Sequence, residues 1–201
     1  MLKKTLIALA ILALAACKPE NQTGTPETDT TATTGQSAES TTANATTTGA
    51  TGGTTSAMSN EDKDFMSKAG MGGLMEVQAG NLALQKAQSA GVKAFAQRMV
   101  DDHGKANAEL AQLATTKGVA LPTELAGEHK DAVDHLSSLS GAEFDKAYMH
   151  HMVDDHDKDV PEFEKASTTA SDGDLKAWAG KTLPTLQQHQ KMAHDIASKM
   201  K

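Results

Sequence analysis

Seven residues occur twice in nearly the same order. Met99-Val100-Asp101-Asp102-His103-Gly104-Lys105 returns as Met152-Val153-Asp154-Asp155-His156-Asp157-Lys158, and a shorter copy stands at Gln187-Gln188-His189-Gln190-Lys191. In each copy a lysine follows the histidine by two positions, an acid stands further on (Glu109, Glu162, Asp195), and an apolar residue comes next (Leu110, Phe163, Ile196). Around every copy, apolar residues recur at three- and four-residue spacing, the period of a helix with one buried face. At ~100° per residue the lysine lies ~200° round the helix from its histidine and faces water, so duplication alone accounts for it. The histidine differs, because it falls in the middle of the apolar stripe. Such a chain is constrained to pack helices side by side, with polar groups carried inward at set heights.

The stripes outline four long helices. The first runs from Glu61 to about Ser89, with Ser59 or Asn60 as N-cap, and one face carries Phe65, Ala69, Gly72, Glu76, Ala83 and Ala87. Gly70, Gly72 and Gly73 weaken this helix but permit a close neighbour. The second runs from Val92 to Lys117 with Gly118 as its stop, and its stripe is Val92, Phe95, Ala96, Met99, His103, Ala106, Leu110 and Leu113. A long connection follows, in which Pro122 can start a short helix carrying Leu125, Val133, Leu136 and Leu139. The third long helix spans Ala142 to Ser167, with stripe Phe144, Tyr148, Met152, His156, Phe163 and Ala166, and Pro161 should bend it. The fourth spans Asp172 to Met200, with stripe Leu175, Trp178, Thr182, Leu186, His189, Ala193, Ile196 and Met200, and a kink at Pro184. Two short links and one long connection predict an all-α, ferritin-like four-helix bundle whose long second-to-third connection holds a short extra helix. A plain up-down bundle is the alternative.

If the bundle forms, Glu76, His103, His156 and His189 meet at mid-height in an apolar interior. Burying three imidazoles and a carboxylate is costly unless they satisfy one another or bind something. The leading reading is a transition-metal site made of these four residues, since imidazole and carboxylate suit Zn, Fe, Mn or Cu(II). Asp102 and Asp155, each one residue before its histidine, can ligate or orient a ligand. Met99, Met152 and Met192 stand a turn from their histidines, and thioether beside imidazole suits copper. The competing reading is an inert buried polar network with the methionines as core filler. The residues three before the histidines are Val100, Val153 and Leu186, so the Glu-x-x-His pattern of di-iron bundles is missing. His129, His135 and His194 read as solvated, and the adjacent His150 and His151 cannot share a face.

Composition narrows the function. The net charge of −7 offers no basic footprint for nucleic acid, and one Trp and one Tyr give no stacking platform. The single cysteine rules out an internal disulfide framework and any cysteine-built zinc site. No Ser-His-Asp spacing, phosphate loop or pair of catalytic carboxylates stands out, which favours a binding protein over an enzyme. No feature identifies a protein partner.

The start of the chain reads as a targeting signal. Lys3 and Lys4 precede a short apolar run from Thr5 to Ala13, and small residues lead to Cys17. Leu14-Ala15-Ala16-Cys17 resembles a bacterial lipobox. That resemblance implies a lipoprotein signal peptide over residues 1–16, lipid attachment at Cys17 and anchoring to a membrane, with Lys18 favouring the outer membrane and a periplasmic face. Residues 17–60 are rich in Thr, Ser and Gly, and from Lys18 onward contain no Leu, Ile, Val, Phe, Tyr or Trp, so this stretch reads as a disordered tether. Residues 61–201 are the expected bundle.

Several short stretches carry a wider resemblance. They are Glu76-Val77-Gln78-Ala79-Gly80, Phe95-Ala96-Gln97-Arg98-Met99-Val100 with Asp102-His103, Phe144-Asp145, Met152-Val153 with His156, and Leu183-Pro184 with His189. Together they resemble a bacterial family of outer-membrane proteins known as domain of unknown function 4142. The resemblance implies an exported ferritin-like bundle and carries no activity with it. A related Met- and His-rich exported group handles copper, an analogy for the metal reading.

Overall fold

The computed structural model describes residues 58–200. Within them the chain forms five helices and no strand: α1 (Asn60–Lys86), α2 (Ala90–Lys117), α3 (Gly127–Ser138), α4 (Gly141–Thr169) and α5 (Gly173–Ala197). None of these helices is long and apolar enough to cross a membrane. The expected signal peptide over 1–16, the lipidation site Cys17 and the tether up to residue 57 lie outside the described residues.

Local chemistry sets the helix ends. Ser59 caps α1, its hydroxyl accepting from the Asp62 N–H at 3.0 Å, and Met58 beside it is already buried. The first helix stops at Lys86, short of the Ser89 that the stripe suggests. Beyond it the N–H groups of Gln88 and Ser89 donate to the Asp145 carboxylate at 3.0 and 2.7 Å, which holds this link in a non-helical path. The reciprocal arrangement closes the other link: the Asp62 carboxylate accepts from Ser171 and Asp172 N–H at 3.2 and 2.8 Å. Gly118 ends α2 with φ of 67°, a left-handed cap that a side chain would strain. Asp172 caps α5 by accepting from Asp174 and Leu175 N–H.

The short helix of the long connection begins at Gly127 and not at Pro122. Leu121 and Pro122 pack instead over Gly70 of α1, where a Cβ would stand 3.5 Å from Leu121 Cδ2 and 3.7 Å from Pro122 Cδ. The proline is used for packing across α1 rather than for starting a helix.

The α1 and α2 helices lie along each other, as do α4 and α5; α2 also meets α5, α1 meets α4, and α3 rests on α1 and touches α4. The interior is divided in two. One apolar cluster gathers Met75, Ala79, Phe95, Met99, Tyr148, Met152 and Ala193 with their neighbours. The other gathers Met66, Leu110, Val160, Phe163, Leu175 and Leu186 with theirs. Along α2 and α4 the chain passes from the first cluster to the second, and along α1 and α5 from the second to the first. On α2, α4 and α5 the change of cluster falls at one buried histidine, His103, His156 and His189, and on α1 it is complete by Met75, beside the buried Glu76.

Candidate metal centre

The four groups expected from the sequence do converge. Glu76 is 1% exposed, His103 5%, and His156 and His189 0%. The three imidazole rings form a near-equilateral triangle, with centroids 5.2, 5.6 and 5.7 Å apart. One nitrogen from each ring lies within 4.8 Å of the other two, and one atom each from Glu76, Asp155 and His156 forms a second such group.

Hydrogen-bond partners fix how each ring is turned. His103 Nδ1 lies 2.7 Å from Glu76 Oε2, His189 Nε2 lies 2.8 Å from Asp102 Oδ2, and His156 Nδ1 lies 2.9 Å from the Met152 carbonyl. With the carboxylates ionised, all three partners only accept, so these nitrogens carry the hydrogens. In a neutral ring the opposite nitrogen then presents a lone pair. His103 Nε2 and His189 Nδ1 face each other at 3.3 Å in this way, and His156 Nε2 faces Glu76 Oε1 at 3.4 Å. His156 Nε2 and Glu76 Oε1 are buried without a hydrogen-bond partner, as is Asp155 Oδ2.

Acceptors set against acceptors repel unless a cation stands between them. Protons are a poor choice for the imidazoles: burial lowers His103 and His189 to about 4 and His156 to about 3, even though the nearby aspartates Asp155 and Asp102 pull His103 the other way. Burial raises Glu76 well above the carboxylate range, which marks how badly a lone negative charge fits here. A transition metal fits the donor set. In tetrahedral coordination at zinc-like bond lengths, neighbouring donors stand roughly 3.3 Å apart, close to the two gaps of 3.3 and 3.4 Å. The outer partners (Glu76 on His103, Asp102 on His189, the Met152 carbonyl on His156) are of the kind that orient metal-ligating imidazoles.

Other expected residues are placed as follows. Asp155 joins Glu76 and His156, and it is raised to about 7 by burial and by Glu76. Met99 and Met152 are fully buried in the first apolar cluster. Met192 turns its sulfur toward the Arg98 guanidinium at 3.8 Å, away from a ligand's role. His135 and His194 are exposed, as expected, whereas His129 is half-buried.

Sequence reasoning missed two features. Asp159, one turn beyond Asp155 on α4, is pushed up to about 9 by burial and by its acidic neighbours Glu76 and Asp155. Its position at i+4 from Asp155 was the available signal. His151, half-buried, places Nε2 3.3 Å from Met75 Sδ; a pairing across two helices leaves no local trace in sequence.

An all-helical bundle with imidazoles and carboxylates enclosed between two apolar clusters is the class of protein that fold and site define. The chain belongs to the family described as domain of unknown function DUF4142, whose model matches residues 30–196. Among solved structures it is similar to a DUF305 fragment from Deinococcus radiodurans, at a TM-score of 0.63 and 11% identity, over 72% of this chain and 99% of that one. At that identity the likeness concerns the fold alone. No curated protein matches the sequence.

Proposed function

We propose that this protein binds one transition-metal ion at the centre of a ferritin-like four-helix arrangement of α1, α2, α4 and α5, for storage, buffering or protection of the cell envelope. The observation that carries the reading is the pair of facing lone-pair contacts, His103 with His189 and His156 with Glu76, made by residues that are all at most 5% exposed. Leaving such acceptors unpaired costs roughly 1–3 kcal/mol each, and an ion held among His103, His156 and His189, or among Glu76, Asp155 and His156, relieves that cost. Zn, Cu, Fe and Mn all suit the donors. The proposal extends to the N-terminus: Cys17 is lipidated after removal of residues 1–16, and residues 17–60 tether the bundle to the outer membrane on its periplasmic side. The support there is the lipobox-like Leu14-Ala15-Ala16-Cys17 and the composition that follows it.

The test is the melting of the full chain with chelator and with each divalent ion in turn. A bound ion at 100 times its Kd adds about 2.7 kcal/mol, and His103→Ala and His156→Ala abolish that gain. Equal stability with and without every ion removes the metal reading.

A second reading has one observation in its favour. A Glu76 kept protonated by burial can donate from Oε1 to His156 Nε2, which quiets that contact without metal. The bundle is then a structural or interaction module of the envelope, and its stability is indifferent to chelator.

A further inference from the structure

Among the described residues, five buried side-chain polar atoms have no hydrogen-bond partner, and three of them belong to one cluster: Glu76 Oε1, Asp155 Oδ2 and His156 Nε2. One ligand atom from each of these residues lies within 4.8 Å of the other two. Glu76 comes from α1, and Asp155 and His156 are neighbours on α4. The three imidazoles form another such cluster, which joins His156 to His103 of α2 and His189 of α5.

His156 is common to both clusters and has one lone pair to give. Its Nδ1 donates to the Met152 carbonyl at 2.9 Å, which leaves Nε2 as the ligating nitrogen on either side. The five donors do not form a single cluster at that spacing. An ion bound on one side of His156 therefore leaves the donors on the other side free. The two sides differ in chemistry. Imidazoles suit zinc and copper, whereas carboxylate oxygen suits manganese(II), the divalent ion that a nitrogen site holds most weakly.

We infer that the bound ion has two alternative seats that share His156 and exclude each other. A nitrogen-preferring ion such as zinc settles among His103, His156 and His189, and an oxygen-preferring ion such as manganese(II) settles among Glu76, Asp155 and His156. The inference rests on the metal reading above and adds the class of ion that each set of donors takes. Exchange between seats changes ligands only, with no change in oxidation state. Asp102 serves one seat: it orients His189 at 2.8 Å. Asp155 serves the other. Amide variants of these two residues keep the side-chain shape and separate the seats.

The experiment uses the full chain, stripped with chelator. Manganese binding is read from the loss of the free manganese(II) paramagnetic signal, and zinc binding from competition with a chromophoric chelator. The wild-type chain is expected to take one equivalent of either ion, and zinc is expected to displace bound manganese. Asp155→Asn is expected to weaken manganese binding at least tenfold and to leave zinc affinity within about twofold. Asp102→Asn is expected to do the reverse. The affinity that each variant keeps for the other ion shows that it is folded. One zinc and one manganese bound together on the same chain overturn the sharing of His156. Equal losses for both ions in either variant, or manganese affinity indifferent to Asp155→Asn, overturn the sorting. Zinc uptake without manganese uptake overturns the carboxylate seat and leaves the metal reading standing. Uptake of neither ion overturns the metal reading for both ions and this inference together.

Discussion

Asp102 holds the ring of His189 at 2.8 Å, across the α2–α5 contact, and not the ring of His103 beside it in the chain. Neighbours on a helix point ~100° apart, so the carboxylate that precedes a buried histidine is turned toward the next helix. Arg98, one turn earlier, steadies Asp102 at 3.3 Å and reaches Gln188 of α5 at 3.0 Å. In the α2 copy of the repeat the Asp-His pair thus divides its work, His103 facing the centre while Asp102 orients the histidine of another helix; in the α4 copy Asp155 Oδ2 is buried without a partner.

Asp102→Asn tests that division. The amide leaves the fold intact but no longer favours a hydrogen on His189 Nε2. Loss of such an outer partner typically weakens metal binding 10–100-fold. A competition titration against a chromophoric chelator measures it, and unchanged affinity means that His189 needs no orienting group.

Glu76→Gln separates the stability of the metal-free protein from its metal affinity. The amide oxygen can still accept from His103 Nδ1, and the amide nitrogen can donate to the His156 Nε2 that lacks a partner. The metal-free protein is expected to gain about 1 kcal/mol while metal-dependent stabilisation falls. Denaturant titrations with and without metal give both numbers. A variant weaker than the parent in the metal-free state contradicts the facing-acceptor account.

The same buried groups set a pH dependence. The three imidazoles are lowered in the folded state, so their contribution is complete above about 6.5 and is lost as the pH falls toward 4 and 3. Asp155 and Asp159 are raised, so theirs is complete below about 3.8 and is lost as the pH rises through about 7 and 9. Between about 6.5 and 9 the aspartates dominate. The melting temperature of the metal-free chain is expected to fall as the pH rises through that range, with Asp159→Asn flattening the slope. A melting temperature that climbs with pH over the same range refutes the sign.

Asp62 and Asp145 are the structural counterparts of the centre, each holding the link of the opposite helix pair. Asp145→Ala frees the N–H groups of Gln88 and Ser89, and Asp62→Ala those of Ser171 and Asp172. Charged hydrogen bonds of this kind contribute ~1.5–3 kcal/mol, so each variant is expected to lose about that much stability with metal affinity unchanged. Chemical denaturation with a parallel metal titration checks both.

Two glycines are expected to respond in opposite directions. A Cβ on Gly80 would stand 2.8 Å from Val100 Cγ2 and 3.3 Å from the Ala96 carbonyl, forcing α1 off α2. Overpacking costs roughly 1–3 kcal/mol against a helix-propensity gain of about 1, so Gly80→Ala should be destabilising. Gly104 meets nothing within 4 Å on α2, and Gly104→Ala should gain about 0.5–1 kcal/mol. Thermal melts of the two variants decide it.

Much of this protein is legible in one dimension. The 3.6-residue period names the helices, and all six residues of the third stripe, Phe144 to Ala166, are buried together on α4. A polar residue in mid-stripe has nowhere to go but inward, so Glu76, His103, His156 and His189 could be named from spacing alone. The first helix reads less well: Phe65 and Ala69 are only partly buried, while Met66, Met75, Ala79 and Gly80 go fully inside. Its glycines leave the apolar face broad, and the choice falls to the neighbours that pack against it.

What the sequence could not decide is everything that depends on one helix meeting another. Periodicity gives the angle of a side chain about its own axis but not its height against a partner, so it cannot say that Glu76 takes His103, that Asp102 takes His189, or that His151 meets Met75. It cannot say that α1 stops at Lys86, because the carboxylate holding the next link belongs to α4. The short range of hydrogen bonding is the reason: a contact that decides at 3 Å is set by the tertiary register of two helices, and no local pattern encodes that register.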